Sequence, residues 1–471
     1  MNIALLTPPY DLMKEGYGSK RKLRGGLFTP LGLAYLASPL IKDGHNVKII
    51  DASSYQQTNE EIEKILLEFK PDIVGISSVT GTAPASYSLA NYLKSKFKNL
   101  PIIYGGPHAS CFAEAVFENI PELDLLVYGE GEIIFKNIID KYSDTGKIPK
   151  DLHGTCAKVE GKFVKNEPAK PVLNLDDLMP PAYHLFDYHG VYRPLPLQYK
   201  KLPAANMVMS RGCPYGKCTF CFSAGRASQI YRRHSPKRVV GEIKYLIKNH
   251  GVKEIAFWDD NFLISEKWVF EFCDLLDKGG IKIPWSACGR VNTATRPMLE
   301  RAAKSGLWNV FYGLESGNQD ILDRIKKGIT LEEVRQAMKW CNELGIDTRG
   351  SFMLFLPGET PEKAMNTIKF ACDIGVTYAQ FQPTHPEWGT ELYDDAVKSG
   401  QIFTLYKGRT AVSYLPEAYK DSKQAREMQK RAYRMFYFRP SYIWKHIKRL
   451  RHISKIKQYF NAAKYIIGIS T

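Results

Sequence analysis

Cys213, Cys218 and Cys221 fall within nine residues, directly after the short apolar run Ala204–Met209. Thiolates are soft donors, and three of them suit an iron–sulfur cluster in which each holds one iron. A cubane of four irons then keeps one iron free of protein, where a small molecule can bind. Zinc in the same place would ask for a fourth protein ligand, and His189 or His234 could supply it.

Further polar residues follow later apolar runs: Asp259 and Asp260, then Arg290, then Glu315 and Ser316, then Gly358 and Glu359. The Asp pair offers one acid to cap the helix that follows and one to receive a cation. Arg290 suits a carboxylate through its planar fork, or a structural ion pair. Glu359 reads as the cap of its next helix, and Lys326-Lys327-Gly328 as a helix start or a solvated face. After the last run, His385, Glu387 and Trp388 lie along the expected substrate mouth.

These residues need a scaffold, and the chain supplies a repeated strand–helix rhythm twice. In residues 1–150 apolar runs at Ile3–Thr7, Val47–Asp51, Ile73–Ser77, Ile102–Gly105 and Leu125–Tyr128 alternate with amphipathic stretches such as Leu31–Lys42 and Asn59–Phe69. This is the pattern of an α/β fold with a doubly wound, Rossmann-like parallel sheet. Ligands of such sheets sit beyond the carboxyl ends of the strands. There the sequence places Pro8; Ser77, Ser78 and Thr80; Gly105, Gly106 and His108; and Gly129, Glu130 and Gly131. Neither a G-x-G-x-x-G after a strand nor a P-loop occurs, so dinucleotide and nucleoside triphosphate readings fall away. Glycine-rich turns instead admit a flat, bulky ligand. Six prolines between Pro168 and Pro196 mark 151–202 as an ordered linker. From 203 to 400 six further strand–helix units predict an open (β/α)6 barrel, two short of a closed one. Residues 401–471 read as a helical, basic C-terminal region.

On these residues the chain resembles the radical SAM superfamily, whose three clustered cysteines bind a [4Fe–4S] cluster and whose S-adenosylmethionine (SAM) chelates the fourth iron. The first gap is one residue longer than the usual C-x3-C-x2-C. The resemblance implies Phe220 beside the adenine, Asp259 or Asp260 on the methionine ammonium, Glu315 and Ser316 near the ribose or ammonium, and Gly358 against the adenine. The N-terminal domain resembles the cobalamin-binding domain of the B12-dependent branch, through Thr29–Leu36, Gly44-His45 leading to Asp51, Pro71–Ser77, Gly105–Ala109 and Gly129–Glu132. That implies cobalamin held by Pro8, Ser77, Ser78, Thr80, Gly105, Gly106, Gly129, Glu130 and Gly131, with no histidine below the cobalt. Asp43-x-His45 lacks the final glycine of D-x-H-x-x-G and reads as a turn, and His108 as a local hydrogen-bonding group.

The family implies a cytoplasmic methyltransferase acting on an unactivated carbon or phosphorus centre of a small molecule or lipid. It also implies an electron donor of flavodoxin or ferredoxin type. Ring formation or contraction within the same family is the alternative. A tRNA methylthiotransferase would carry three further cluster cysteines early in the chain, whereas only Cys111 and Cys156 precede residue 200. A cobalamin or zinc sensor is the non-catalytic option. The nine cysteines, odd in number and partly clustered, point to a reducing compartment. MNIALLTPPYDL reads as a first strand and not a signal peptide, and no apolar run is long enough to span a bilayer. The net charge is +16, and from Arg439 onward there are eight Lys or Arg and no acid. Ile443, Ile447, Leu450, Ile453 and Phe460 recur there near helical spacing, which suits either a helix on the barrel or one lying on a membrane surface. No specific nucleic-acid partner is expected.

Overall fold

A computed structural model describes residues 1–11, 14–15, 26–195, 198–224, 230–402 and 412–448. Met1–Glu15 with Phe28–Val191 form one compact unit, and the chain from Tyr192 onward forms the other.

The first unit is built on strands β1 (Asn2–Thr7), β2 (Asn46–Asp51), β3 (Ile73–Ser77), β4 (Ile102–Gly105), β5 (Leu125–Val127), β6 (Thr155–Val159) and β7 (Lys162–Lys165). They lie in the order β2-β1-β3-β4-β5-β6-β7. The first five are parallel, and β6 and β7 continue the sheet antiparallel. Both faces are buried, and alternate residues serve opposite sides. Ala4, Leu6, Val74, Ile76, Ile102 and Tyr104 pack with the helices Asn59–Phe69 and Ala83–Lys96. Ile3, Leu5, Ile73, Ile103 and Leu125 pack with the helices Leu31–Lys42 and Gly131–Thr145. The expected doubly wound sheet is therefore present. Its strand order reverses at β1, so the crevice between β1 and β3 is the topological switch point.

The linker expected over 151–202 belongs mostly to this unit. Residues 155–165 form β6 and β7, Leu175 and Leu178 pack on Tyr35, and the unit runs on to Val191. Prolines that read as punctuation of a crossing instead shape a segment folded back on the sheet.

The second unit holds six parallel strands: β8 (Ala204–Met207), β11 (Glu254–Phe257), β12 (Trp285–Gly289), β13 (Leu307–Glu315), β14 (Asp347–Leu354) and β15 (Tyr378–Pro383). Their order is β15-β14-β13-β12-β11-β8. Two short strands, β9 (Ser210–Arg211) and β10 (Arg232–Arg233), pair with each other beyond β8. Serine or threonine caps five helices that follow strands of this unit: Ser235, Ser265, Thr295, Thr330 and Thr360 each accept the N–H three residues on. Such caps satisfy backbone donors that the first turn leaves open.

An open sheet has an exposed edge, which is a liability for pairing with other chains. The helix Ser422–Tyr437 covers that of β15 with side chains. Tyr437 OH donates to the Ala379 carbonyl at 2.7 Å and accepts from Ala379 N–H at 3.1 Å. Gln429 Nε2 donates to the Phe381 carbonyl at 2.9 Å, and Phe381 N–H donates to Tyr433 OH. A second helix, Pro440–Lys448, leaves Ile443, Trp444 and Ile447 exposed. The tail residues Leu450, Ile453 and Phe460 lie outside the described residues. Among the described residues no helix is long and apolar enough to cross a membrane.

Candidate functional site

The three cysteines follow β8 in the loop after β9, at the carboxyl end of the barrel strands. Thr219 N–H donates to the Ile325 carbonyl at 3.1 Å, Leu392 N–H donates to the Thr219 carbonyl at 2.9 Å, and Tyr215 OH donates to the Lys326 carbonyl. Cys218 is buried, while Cys213 and Cys221 are half-buried, and all three are free thiols. Burial pushes the Cys218 and Cys221 thiols up, with Lys327 and Arg290 pulling against it at Cys218. Among the described residues no three His, Cys, Asp or Glu side chains are gathered as they would be round a single metal ion. A cubane takes one thiolate per iron and so asks for sulfurs spread more widely.

Two cations face this loop, Arg290 from just beyond β12 and Lys327 from a turn between two helices. The Arg290 guanidinium stands 4.0 Å from the centre of the Tyr215 ring, donates to the Lys327 carbonyl at 2.6 Å and points an Nη at Cys218 Sγ, 3.9 Å away. Arg290 is thus in contact with the thiol loop itself. Lys327 Nζ pairs with Glu315 Oε1 at 2.7 Å, with both side chains at least nine-tenths buried, and stands 5.7 Å from the centre of the Phe220 ring. From sequence, Lys327 is expected at a helix start or on a solvated face. It sits instead in the turn between the helices Gln319–Arg324 and Leu331–Glu343, turned inward. A lysine run carries no local mark of such burial; only an acid left alone on the facing strand end, Glu315, hints at it.

Glu315 and Phe355 adopt positive φ, 58° and 71°, at the ends of β13 and β14. Non-glycine residues hold that conformation only where their surroundings impose it, and such places cluster at functional sites. Ser316, expected beside Glu315 as a ligand contact, is fully buried, and its hydroxyl meets Thr367 Oγ1 and accepts from Asn318 N–H. These bonds tie the strand end to the helix Pro361–Asp373. Gly358 has φ 75°, a left-handed conformation that favours glycine, and the Arg324 side chain lies beside it.

The Asp pair caps nothing, because Ser265 caps the helix that follows. Asp259 Oδ1 accepts from Met209 N–H (2.9 Å), Ser210 N–H (2.6 Å) and Ser210 Oγ (2.7 Å), stapling the chain just before the thiol loop. Burial pushes its carboxyl up to about 7 against those bonds, and among the described residues Oδ2 has no partner. Asp260 is exposed and accepts from Ser223 Oγ, two residues beyond Cys221. Glu359 is likewise no cap: it accepts from Phe355 N–H at 2.6 Å and from Tyr419 OH, and Thr360 caps the helix. Phe220 packs on Leu392, Ala396 and Tyr414. His385 Nδ1 meets Ser413 Oγ at 2.5 Å, Glu387 is exposed and Trp388 half-buried.

In the first unit the expected cobalamin residues collect at the carboxyl ends of β1, β3, β4 and β5. Pro8 follows β1 and is buried. Ser78 N–H donates to the Gly105 carbonyl and His108 N–H to the Ser78 carbonyl, both at 3.1 Å, which closes the β3 and β4 loops on each other. Gly106 has φ 96°, and a Cβ would lie 2.7 Å from the Ser78 carbonyl oxygen, so only glycine fits. The Ser78 hydroxyl is held by Val79 and Thr82, which makes this serine part of the loop's frame. Ser77 and Thr80 are half-buried, as are Gly105, Glu130 and Gly131. At Gly81 and Gly129 an added Cβ would meet nothing within 4 Å, and Val79 is 49% exposed. Bare backbone and an exposed aliphatic side chain beyond the carboxyl ends of β3 and β5 fit a broad ring.

His108 is fully buried, Nε2 meets Tyr87 OH at 2.6 Å, Nδ1 meets Thr80 Oγ1, and burial pushes the ring down to about 4. It is a neutral ring with both nitrogens engaged in the loop frame. His45 lies at the start of β2, 3.4 Å from the terminal amine of Met1, at the opposite edge of the sheet.

Comparison with known proteins joins the two sites. Residues 207–371 match the model of the radical SAM superfamily, and residues 23–139 match that of the B12 binding domain. The chain is 34% identical over 453 residues to an uncharacterized methyltransferase of Pyrococcus horikoshii, covering 95% of each. This chain belongs to the cobalamin-binding radical SAM enzymes. A second relative in that family is the anaerobic magnesium-protoporphyrin IX monomethyl ester cyclase of Cereibacter sphaeroides, 29% identical, over 81% of this chain and 62% of the cyclase. In fold, the chain is similar to the cobalamin-dependent SAM radical enzyme OxsB, with a TM-score of 0.75 and 19% identity, covering 99% of this chain and 72% of OxsB. The cofactors of the family are a [4Fe–4S] cluster, SAM and cobalamin, and its radical chemistry draws on an external reductant. The buried thiol loop fits the first, the unpartnered Asp259 Oδ2 and the exposed Asp260 beside it fit a cationic ligand, and the open glycine edge fits the third.

Proposed function

We propose that the chain is a methyltransferase acting on an unactivated carbon or phosphorus centre of a small molecule or lipid. Near-complete alignment with a protein named as a methyltransferase carries this reading. When bound, the three cofactors supply reductive cleavage of SAM to a 5′-deoxyadenosyl radical and a methyl group for the substrate. Cys213, Cys218 and Cys221 hold the cluster. Arg290 and Lys327 set positive charge beside those thiols, and Asp260 receives the ammonium of SAM. Glu315, fixed by Lys327, faces its ribose or ammonium, Phe220 and the Gly358 turn flank the adenine, and His385, Glu387 and Trp388 meet the substrate. In the first unit Pro8, Ser77, Thr80, Gly105, Gly106, Gly129, Glu130 and Gly131 hold cobalamin, framed by Ser78.

The domains we propose are residues 1–150 for cobalamin, with 151–191 packed on them, 203–400 for radical chemistry, and a helical C-terminal region. Nine free cysteines favour the cytoplasm, with a flavodoxin- or ferredoxin-type protein as electron donor. Phe438, Ile443, Trp444 and Ile447, exposed beside the basic tail, support contact with an anionic membrane surface.

Ring closure is the second reading, favoured by the cyclase relative, of which the chain spans 62%. Incubation of the anaerobically reconstituted enzyme with SAM deuterated at its methyl group separates the two. Label in the product supports methyl transfer; a cyclised product free of label would replace it with the second reading.

A further inference from the structure

One buried cation inside the barrel is used by none of the roles above. Cys288, Phe311, Arg349 and Tyr378 are paired in register across β12, β13, β14 and β15. Residues paired in this way share a face of the sheet. Tyr312, next to Phe311, turns the other way and meets Cys341 of an outer helix, so the row containing Arg349 faces inward.

Arg349 is only 6% exposed. Its guanidinium stands 5.1 Å from the centre of the Phe311 ring and 5.7 Å from that of Trp258, and Nε donates to Asn309 Oδ1 at 2.7 Å. The two rings and the amide thus surround the group and fix it along its Nε edge. Among the described residues neither Nη atom has a hydrogen-bond partner, and no carboxylate pairs with it. The nearby acid Glu254 is committed elsewhere: its oxygens accept from Lys200 N–H, Lys201 N–H and Trp308 Nε1. A buried charge without a counter-ion is costly, and a guanidinium held through Nε with its fork left open matches an oxyanion.

We propose that Arg349 receives a carboxylate or phosphoryl group of the substrate inside the barrel, its fork binding two oxygens at once. This rests on the enzymatic reading above and adds the chemical class of what the site takes: an anionic substrate, anchored below its reacting atom.

The test uses the anaerobically reconstituted full chain, titrated calorimetrically with inorganic phosphate and, separately, with propionate. The expected result is one site per chain for at least one of them in the wild type, weakened at least tenfold in Arg349→Gln. Preference for phosphate over propionate assigns a phosphoryl group, and the reverse a carboxylate. Equal binding in both proteins, or none in the wild type, overturns the proposal. Should Arg349→Gln fail to fold, the wild type decides alone. Phosphate or propionate must then shield Arg349 from phenylglyoxal, read by peptide mass spectrometry, and an Arg349 that is unreactive or unshielded contradicts it. Release of 5′-deoxyadenosine by the wild type is measured in parallel. Its absence would count against the enzymatic reading, whatever the anion data show.

Discussion

At the scale of single residues, the site rests on one buried ion pair. Lys327 and Glu315 are each at least nine-tenths buried, so removing either partner strands the other's charge. Lys327→Met should cost about 3–5 kcal/mol of stability, and the double variant Lys327→Met/Glu315→Gln should recover much of it. Thermal unfolding of the three proteins checks this; additive losses would mean the pair is not coupled. Buried carboxyls set a second expectation. Burial pushes Glu359 up to about 8 and Glu254 up to about 7, as it does Asp259. A folded pKa above the unfolded one means the native state binds more protons. The stabilisation is full below about pH 4 and is lost as pH rises through 7 to 8. Between pH 5 and 8 each such group should therefore lower stability by up to about 1.4 kcal/mol per pH unit. Glu359→Gln should remove one such slope from the melting temperature of the apoprotein, and unchanged slopes would refute the assignment.

At the scale of elements, the helix Ser422–Tyr437 acts as a side-chain edge for β15. Gln429→Leu should leave the Phe381 carbonyl unpaired and cost about 1–3 kcal/mol. Hydrogen exchange should show Ala379 and Phe381 opening sooner in that variant; equal protection would mean the helix does not support the edge. The strands and helices were largely legible in the sequence, because apolar alternation and Ser/Thr caps are local signals. Ile73–Ser77, Leu31–Lys42 and Asn59–Phe69 have the boundaries the sequence suggests. What the sequence hides are pairings made at long range. The inward turn of Lys327, the stapling of Met209 and Ser210 by Asp259 and the engagement of Ser316 by Thr367 all depend on which strand ends become neighbours.

At the scale of the molecule, two sheet-based units each present ligand residues at the carboxyl ends of parallel strands. The fold class and the thiol spacing could be read in advance, because each is a periodic or short-range pattern. The reach of the first unit to Val191 could not, because β6 and β7 join the sheet only through the antiparallel pairing of β5 with β6. With the thiols in one unit and the glycine edge in the other, Cys218→Ala should lose iron while cobalamin binding persists, read from iron content and the corrinoid absorption bands. Loss of both would contradict independent sites. The central claim is tested most directly by anaerobic reconstitution of the wild-type chain with iron and sulfide, followed by SAM and a reductant. The account predicts about four irons per chain and release of 5′-deoxyadenosine that Cys218→Ala abolishes. Cleavage of SAM that continues without the Cys218 thiol, or a wild-type protein that takes up no iron, would contradict it.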